Sequence, residues 1–258
     1  MRFPNMRRSH RVWQRNLDVF KSHYLATIVG NIGEPILYLF GIGIGLGAFV
    51  REIDGHPYIE FFAPGMLAAS AMTAAAFECT FGSYTRMTEQ KVYEGILATP
   101  IEIEDIVIGE ILWGATKSFF STFAMLLVMM AASIFTSYAQ IPMILLNMFV
   151  LGVAFSALAL AVSAVAWSYE FFNFFFTLFL TPLLLFSGIY FPTSMLPEWF
   201  SGIFLIFPTP HSVEINRFLF YGGDGPHLIL SAFYLAFFIP VGTGIAISLT
   251  RRRLIPRH

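Results

Sequence analysis

Four ionisable side chains sit where charge is expensive: Glu34, Glu78, Glu110 and Lys117 each interrupt a long apolar stretch. In hydrocarbon such groups pair with one another, snorkel to headgroups, or line a polar pathway. Glu110 and Lys117 are seven residues apart and share a helix face, which leaves Glu34 and Glu78 as candidate partners of Lys117 across a bundle. Enzyme templates are missing: the chain has no H-E-x-x-H, no G-x-S-x-G and no G-x-x-x-x-G-K-[ST], so no catalytic residue is assigned. His211 and Glu214 stand three apart without a second His or Cys at ligand spacing, so no metal site is assigned. Gly43, Gly45 and Ala48 match G-x-G-x-x-A but lack a strand–turn–helix context, so no cofactor is assigned to this chain. The single cysteine, Cys79, reads as a small buried hydrophobe.

Residues 86–110, RMTEQKVYEGILATPIEIEDIVIGE, form the one internal polar segment long enough to engage a partner. Thr99, Pro100 and Glu102 fit the N-cap, N1 and N3 positions of a helix leading into the next span. A shorter helix therefore ends near Leu97, with Gly95 inside it. Lying parallel to the membrane, it would offer charge beside Tyr93, Ile96 and Leu97 for insertion into a groove on a soluble protein. A plain solvated loop would look much the same.

These residues must be held by membrane helices. The chain of 258 residues is 57% hydrophobic and 12% charged, with thirty Phe, and its mean hydropathy is +0.70. A soluble domain carries about 25% charged residues. Helices of about twenty apolar residues are needed to cross a bilayer. Runs over 25–50, 61–84, 106–138, 142–168, 171–191 and 228–250 give six spans. Residues 192–220 are apolar but cut by Pro192, Pro197, Pro208 and Pro210. Their proline-free pieces of ten residues reach about 15 Å each, so they read as two short re-entrant helices. Of fifteen Lys and Arg, six lie in the first twenty-one residues and four in the last eight. The positive-inside bias then places both termini in the cytoplasm, with Arg86 and Lys91 in the first cytoplasmic loop.

Trp13, Leu17, Phe20 and Tyr24 repeat at helical spacing, with Arg8, Arg11, Arg15 and Asp18 opposite. This predicts an amphipathic helix over residues 1–24 lying on the inner leaflet, its basic face free for lipid or a cytoplasmic partner. Basic termini at this density mean membrane topology, not nucleic acid. Gly41, Gly43, Gly45 and Gly47 place GxxxG pairs on two faces of the first span, suited to helix packing or dimerisation. Phe171, Phe172, Phe174 and Phe175 either line a substrate seam, since sugar rings and lipid stack on aromatic faces, or face lipid.

The chain resembles the ABC-2 type permeases, the membrane subunits of ATP-driven exporters, and within them the nodulation protein J type, permeases for lipo-oligosaccharide export. The resemblance is nearly end to end. It runs through Glu34–Gly47 (EPILYLFGIGIGLG), Pro64–Glu78 (PGMLAASAMTAAAFE), Asp105–Lys117 (DIVIGEILWGATK), Thr181–Pro192 (TPLLLFSGIYFP) and Phe207–Arg217 (FPTPHSVEINR). It implies a single all-α membrane domain over 1–258: an interfacial helix, six spans, re-entrant helices at 192–220 and a coupling helix within 86–99. It also implies a bacterial inner-membrane location and two ATPase subunits that bind ATP and Mg. Those subunits would dock on Lys91, Tyr93, Glu94, Gly95, Ile96, Leu97, Thr99 and Pro100, with a substrate path between two permease copies. Drug efflux and lipid-linked polysaccharide export share this fold and partner. A secondary transporter would need midplane coupling charges and internal repeats, and no repeat relates the two halves.

Overall fold

The computed structural model describes residues 4–22, 24–50, 52–53, 55–135, 138–222 and 228–255, with the side chains of 24–32, 34 and 35 left out. The described chain is mostly helical. It runs α1 (Met6–Lys21), α2 (Tyr24–Gly47), a small hairpin β1 (Glu52–Ile53) and β2 (His56–Pro57), and α3 (Tyr58–Phe77). Then come α4 (Val92–Leu97), α5 (Ile103–Ala131), α6 (Ile141–Val165), α7 (Glu170–Phe175), α8 (Thr181–Phe186), α9 (Glu198–Phe204), α10 (Pro208–Tyr221) and α11 (Leu228–Leu254). Among the described residues, four continuous helical runs are long and apolar enough to cross a membrane: Tyr58–Glu89, Ile103–Ala131, Tyr138–Val165 and Leu228–Leu254. The stretch read as the fifth span is a shorter apolar helix, Glu170–Phe186, widened by a π turn at Phe176–Leu180.

α3 is the central staff, packed against α2, α5, α6 and α10, while α11 packs along α6. Its alanines at 68, 69, 71, 74, 75 and 76 let neighbours approach closely, which is how helices associate when lipid supplies no hydrophobic contrast. α5 and α6 meet where Gly152 faces Ser118; a Cβ on Gly152 would lie 2.6 Å from the Ser118 Cβ. Buried hydroxyls bridge the helices, Ser70 Oγ to Ser121 Oγ at 2.8 Å and Ser118 Oγ donating to the Ala71 carbonyl at 2.7 Å.

At one end of the bundle, α10 is tied down by amides. Asn147 Nδ2 donates to the Ser212 carbonyl (3.0 Å) and to Asn216 Oδ1 (2.9 Å), and Asn216 Nδ2 donates to the Pro64 carbonyl (3.1 Å). The helix begins at Pro208 rather than at His211, where the prolines alone would start it. Pro208 and Pro210 fall in its first turn, where a missing N–H costs nothing.

The small residues of α2 divide between two environments. Gly43 is buried, and its missing Cβ would lie 3.1 Å from Ile59, so that face serves packing within the chain. Gly47 faces Tyr58, whereas Gly41 and Gly45 have open space in front of them. The Glu34 side chain lies outside the described residues.

Candidate functional site

At the opposite end from α10, the helical run of α3 continues through two π turns, Glu78–Gly82 and Thr85–Glu89. Eight residues of α-helix would place Arg86 about 80° around the axis from Glu78. The π turns wind less per residue and bring the two onto one face, where Arg86 Nη1 donates to Glu78 Oε1 at 2.9 Å. Arg86 thus belongs to the helix and not, as its place between apolar runs suggests, to a solvated loop. Its other nitrogens hold Glu110 of α5, Nε to Oε1 at 3.2 Å and Nη2 to Oε2 at 2.5 Å.

The carboxylates are otherwise well partnered. Glu110, with a side chain 1% exposed, also accepts from Asn16 Nδ2 and Ser83 Oγ, both at 3.0 Å. Glu78 accepts from Trp113 Nε1 at 2.9 Å and has Lys117 Nζ at 3.5 Å. The Lys117 ammonium stands 4.4 Å from the Phe20 ring centroid. Buried charge is tolerable only with such pairing, and here two helices and α1 close on one cluster.

From this cluster the chain turns sharply. Lys91 adopts a left-handed conformation (φ 51°), and α4 follows. Tyr93 points inward, 1% exposed, beside Tyr84, Met87, Ile106 and Phe172. Burial and the Glu110 carboxylate push its phenol well above the ordinary tyrosine range. Its hydroxyl has no hydrogen-bond partner among the described residues. Tyr93 is therefore an anchor in the bundle and is not available for a groove on a partner. Lys91, Glu94, Gly95, Thr99 and Pro100 are exposed, with Ile96 and Leu97 half-buried, and a Cβ on Gly95 would meet nothing.

The next helix begins later than the Thr99–Pro100 reading has it. The Thr99 hydroxyl donates back to the Ile96 carbonyl at 2.6 Å, closing the turn after α4. Glu102 is the N-cap of α5, in a reciprocal capping box with Asp105. Asp105 also accepts from the Asn5 backbone N–H at 2.7 Å, and Arg8 lies within 4.0 Å of both Glu102 and Asp105.

α1 lies against α5, and Phe20 of its apolar stripe meets the Trp113 and Phe120 rings there. Its buried residues are Ser9, Val12 and Asn16, facing Gly109 and Glu110; Trp13, Arg15, Leu17 and Phe20 are half-buried, and Arg11 is exposed. Trp13 Nε1 donates to Thr116 Oγ1 at 2.9 Å.

The last helix closes the same end. Arg251 pairs with Glu104, and Arg253 Nη1 donates to the Ser163, Ala164 and Ala166 carbonyls, filling the orphan acceptors at the C-terminus of α6.

A family model for ABC-2 type transporters matches residues 10–221. The chain belongs to the ABC-2 type transporter family. Nodulation protein J of Rhizobium meliloti (strain 1021) is 40% identical over 246 residues, covering 95% of this chain and 93% of that protein. Nodulation protein J of Rhizobium leguminosarum bv. viciae is 38% identical over 245 residues, 95% and 94% of the two chains. The inner membrane transport permease YadH of Escherichia coli (strain K12) is 23% identical over 236 residues, 88% and 90% of the two. An ABC-2 permease is the membrane subunit of a transporter, not a catalytic enzyme, and the family works with a cytoplasmic ATPase subunit.

The other sequence-predicted residues scatter over the permease. Phe172 is fully buried against Phe81 and Tyr84, so it cannot line a seam with a second copy. Phe171 packs on Trp167, Phe175 stacks on Phe179, and Phe174 is exposed. Sequence reasoning missed Asn16, Ser83 and Trp113 as partners of the two glutamates. The available signal was Trp113 lying three residues beyond Glu110 and four before Lys117 on one helix.

Proposed function

We propose that this chain is the permease of an ATP-driven exporter in a bacterial inner membrane, and that α4 receives the stroke of the ATPase. The carrying observation is mechanical: a six-residue helix exposed at Glu94 and Gly95 is pinned by Tyr93 against the helices that carry Glu78, Arg86 and Glu110. A push on the exposed edge is delivered directly to a packed, ion-paired core, which shifts as a unit. ATP and Mg are held by the partner, and two permeases with two ATPases form the working unit.

Six spans with both termini cytoplasmic complete this reading. Asn5 near the start of the chain and Arg251 near its end bind the adjacent residues Asp105 and Glu104. Both chain ends at one end of the bundle require an even number of crossings, and the basic residues favour the cytoplasmic side. The proposed cargo is an amphipathic, lipo-oligosaccharide-like molecule moving between two permease copies, a reading that rests on the likeness to nodulation protein J.

The test is ATP hydrolysis by the complex purified in lipid, compared with a Glu94→Arg, Gly95→Trp double variant. Both positions are exposed, so the variant chain should fold normally and lose co-purifying ATPase or its coupling. An equally active complex would refute docking at α4.

A further inference from the structure

Between α1, the π turns and α5 lies a cleft of about 290 Å³, lined by Arg15, Asn16, Phe20, Arg86, Trp113 and Lys117 among others. At about 30 Å³ per water, it has room for a phosphate group together with its hydration. Among the described residues its charge is unbalanced. Arg15, Arg86 and Lys117 stand against Glu78 and Glu110, three cations to two carboxylates, and among the described residues no other carboxylate is in ion-pair range of the three. Arg86 is consumed by both glutamates. Lys117, with an 8% exposed side chain, has its one carboxylate contact at 3.5 Å, longer than a good hydrogen bond. It also stands over two ring faces, 4.4 Å from the Phe20 centroid and 5.5 Å from that of Trp113, which orient the ammonium without using its N–H donors. Arg15 Nη1 donates to Asn16 Oδ1 at 2.9 Å and has no acidic partner among the described residues.

A half-buried excess cation with unused donors beside an open cavity is completed by an anion. We propose that this cleft binds one net-anionic phosphate group, held by Lys117 and Arg15, and that its source is the headgroup of an anionic inner-leaflet lipid. α1 forms one wall, with Val19 and Phe20 lining the cleft, so acyl chains could run along an apolar edge while the phosphate enters beside Lys117. Such a lipid would bridge α1 to α5 at the level of Glu78, adding a ligand-dependent fastening next to the coupling machinery. This goes beyond the proposed function and is read without the ATPase, so the two stand or fall separately.

The experiment is native mass spectrometry of the full-length chain in non-ionic detergent, titrated with dioleoyl-phosphatidylglycerol or dioleoyl-phosphatidylcholine. One phosphatidylglycerol per chain should be retained in preference to phosphatidylcholine. Lys117→Gln and Arg15→Gln should each weaken retention at least about tenfold, the scale of one lost charge-assisted hydrogen bond. An Arg7→Gln, Arg11→Gln variant, which removes exposed charge outside the cleft, should bind as the parent does. Competition with millimolar inorganic phosphate separates the sources: displacement identifies a free-anion site, and persistence of the lipid identifies the headgroup. Equal retention of both lipids overturns the proposal. So does an Arg7, Arg11 variant that loses as much binding as the cleft variants, because attraction would then be diffuse. Should Lys117→Gln fail to fold, Arg15→Gln carries the test, since Arg15 has no carboxylate to orphan.

Discussion

Removing Arg86 is the sharpest perturbation the structure offers. Arg86→Met would leave the Glu78 carboxylate with its longer ion pair to Lys117, whose ammonium lies 3.5 Å away, and would take from Glu110 its ion pair to Arg86. Glu110 would keep hydrogen bonds from Asn16 and Ser83 but no counter-charge. Breaking a buried pair in this way costs about 3–5 kcal/mol, mostly the penalty of the abandoned charge. For a chain of this size that corresponds to a fall in Tm of order 10 °C. The diagnostic is the double variant Arg86→Met, Glu110→Gln, which removes the abandoned charge as well and should recover about half the loss or more. Thermal unfolding of the four chains in one detergent gives the coupling energy directly. If Arg86→Met melts within about 2 °C of the parent, or the second substitution deepens the loss additively, the buried-cluster reasoning is wrong.

Three further outcomes are expected. Gly109→Ala puts a Cβ 2.6 Å from Val12 Cβ and 2.8 Å from the Ser9 carbonyl, so α1 must lift; overpacking of about 1–3 kcal/mol should appear as faster amide exchange across Met6–Lys21 while α6 exchange stays unchanged. Tyr93→Phe removes a hydroxyl without a partner and should leave stability at pH 7 within about 1 kcal/mol. The raised phenol pKa means the folded chain keeps this proton after the unfolded chain, at an ordinary value of 10.0, has lost it; stability should therefore fall as pH rises above 10, and melting curves of Tyr93→Phe should fall less steeply. Asn147→Leu orphans Asn216 Oδ1 and frees Ser212; a loss of about 1–3 kcal/mol is expected in thermal unfolding, and a neutral effect would mean the amide bridge does not secure α10.

Apolar run length and the placement of charge determined from the sequence alone that this is a helical membrane chain, and stretches such as EPILYLFGIGIGLG and FPTPHSVEINR carried its family resemblance. An apolar helix such as Leu228–Leu254 announces itself because hydrocarbon thickness demands its length. Proline and glycine punctuation likewise marks the approximate place of α4, α9 and α10, with errors of a few residues where Pro208 sits inside a first turn. The tertiary structure alone decided how the chemistry-bearing side chains are aimed. Two π turns rotate Arg86 onto the Glu78 face, a phase shift invisible to a periodicity that assumes 3.6 residues per turn. Tyr93 looks like a docking residue until Glu110, Met87 and Phe172 are seen to enclose it. The Trp13–Leu17–Phe20 stripe marks α1 as amphipathic, but that Ser9, Val12 and Asn16 are its buried residues, with Asn16 donating to Glu110 ninety-four residues away, is set by α5. Burial and pairing are set by neighbours from distant parts of the chain, so local spacing can nominate these residues but cannot say which way they face.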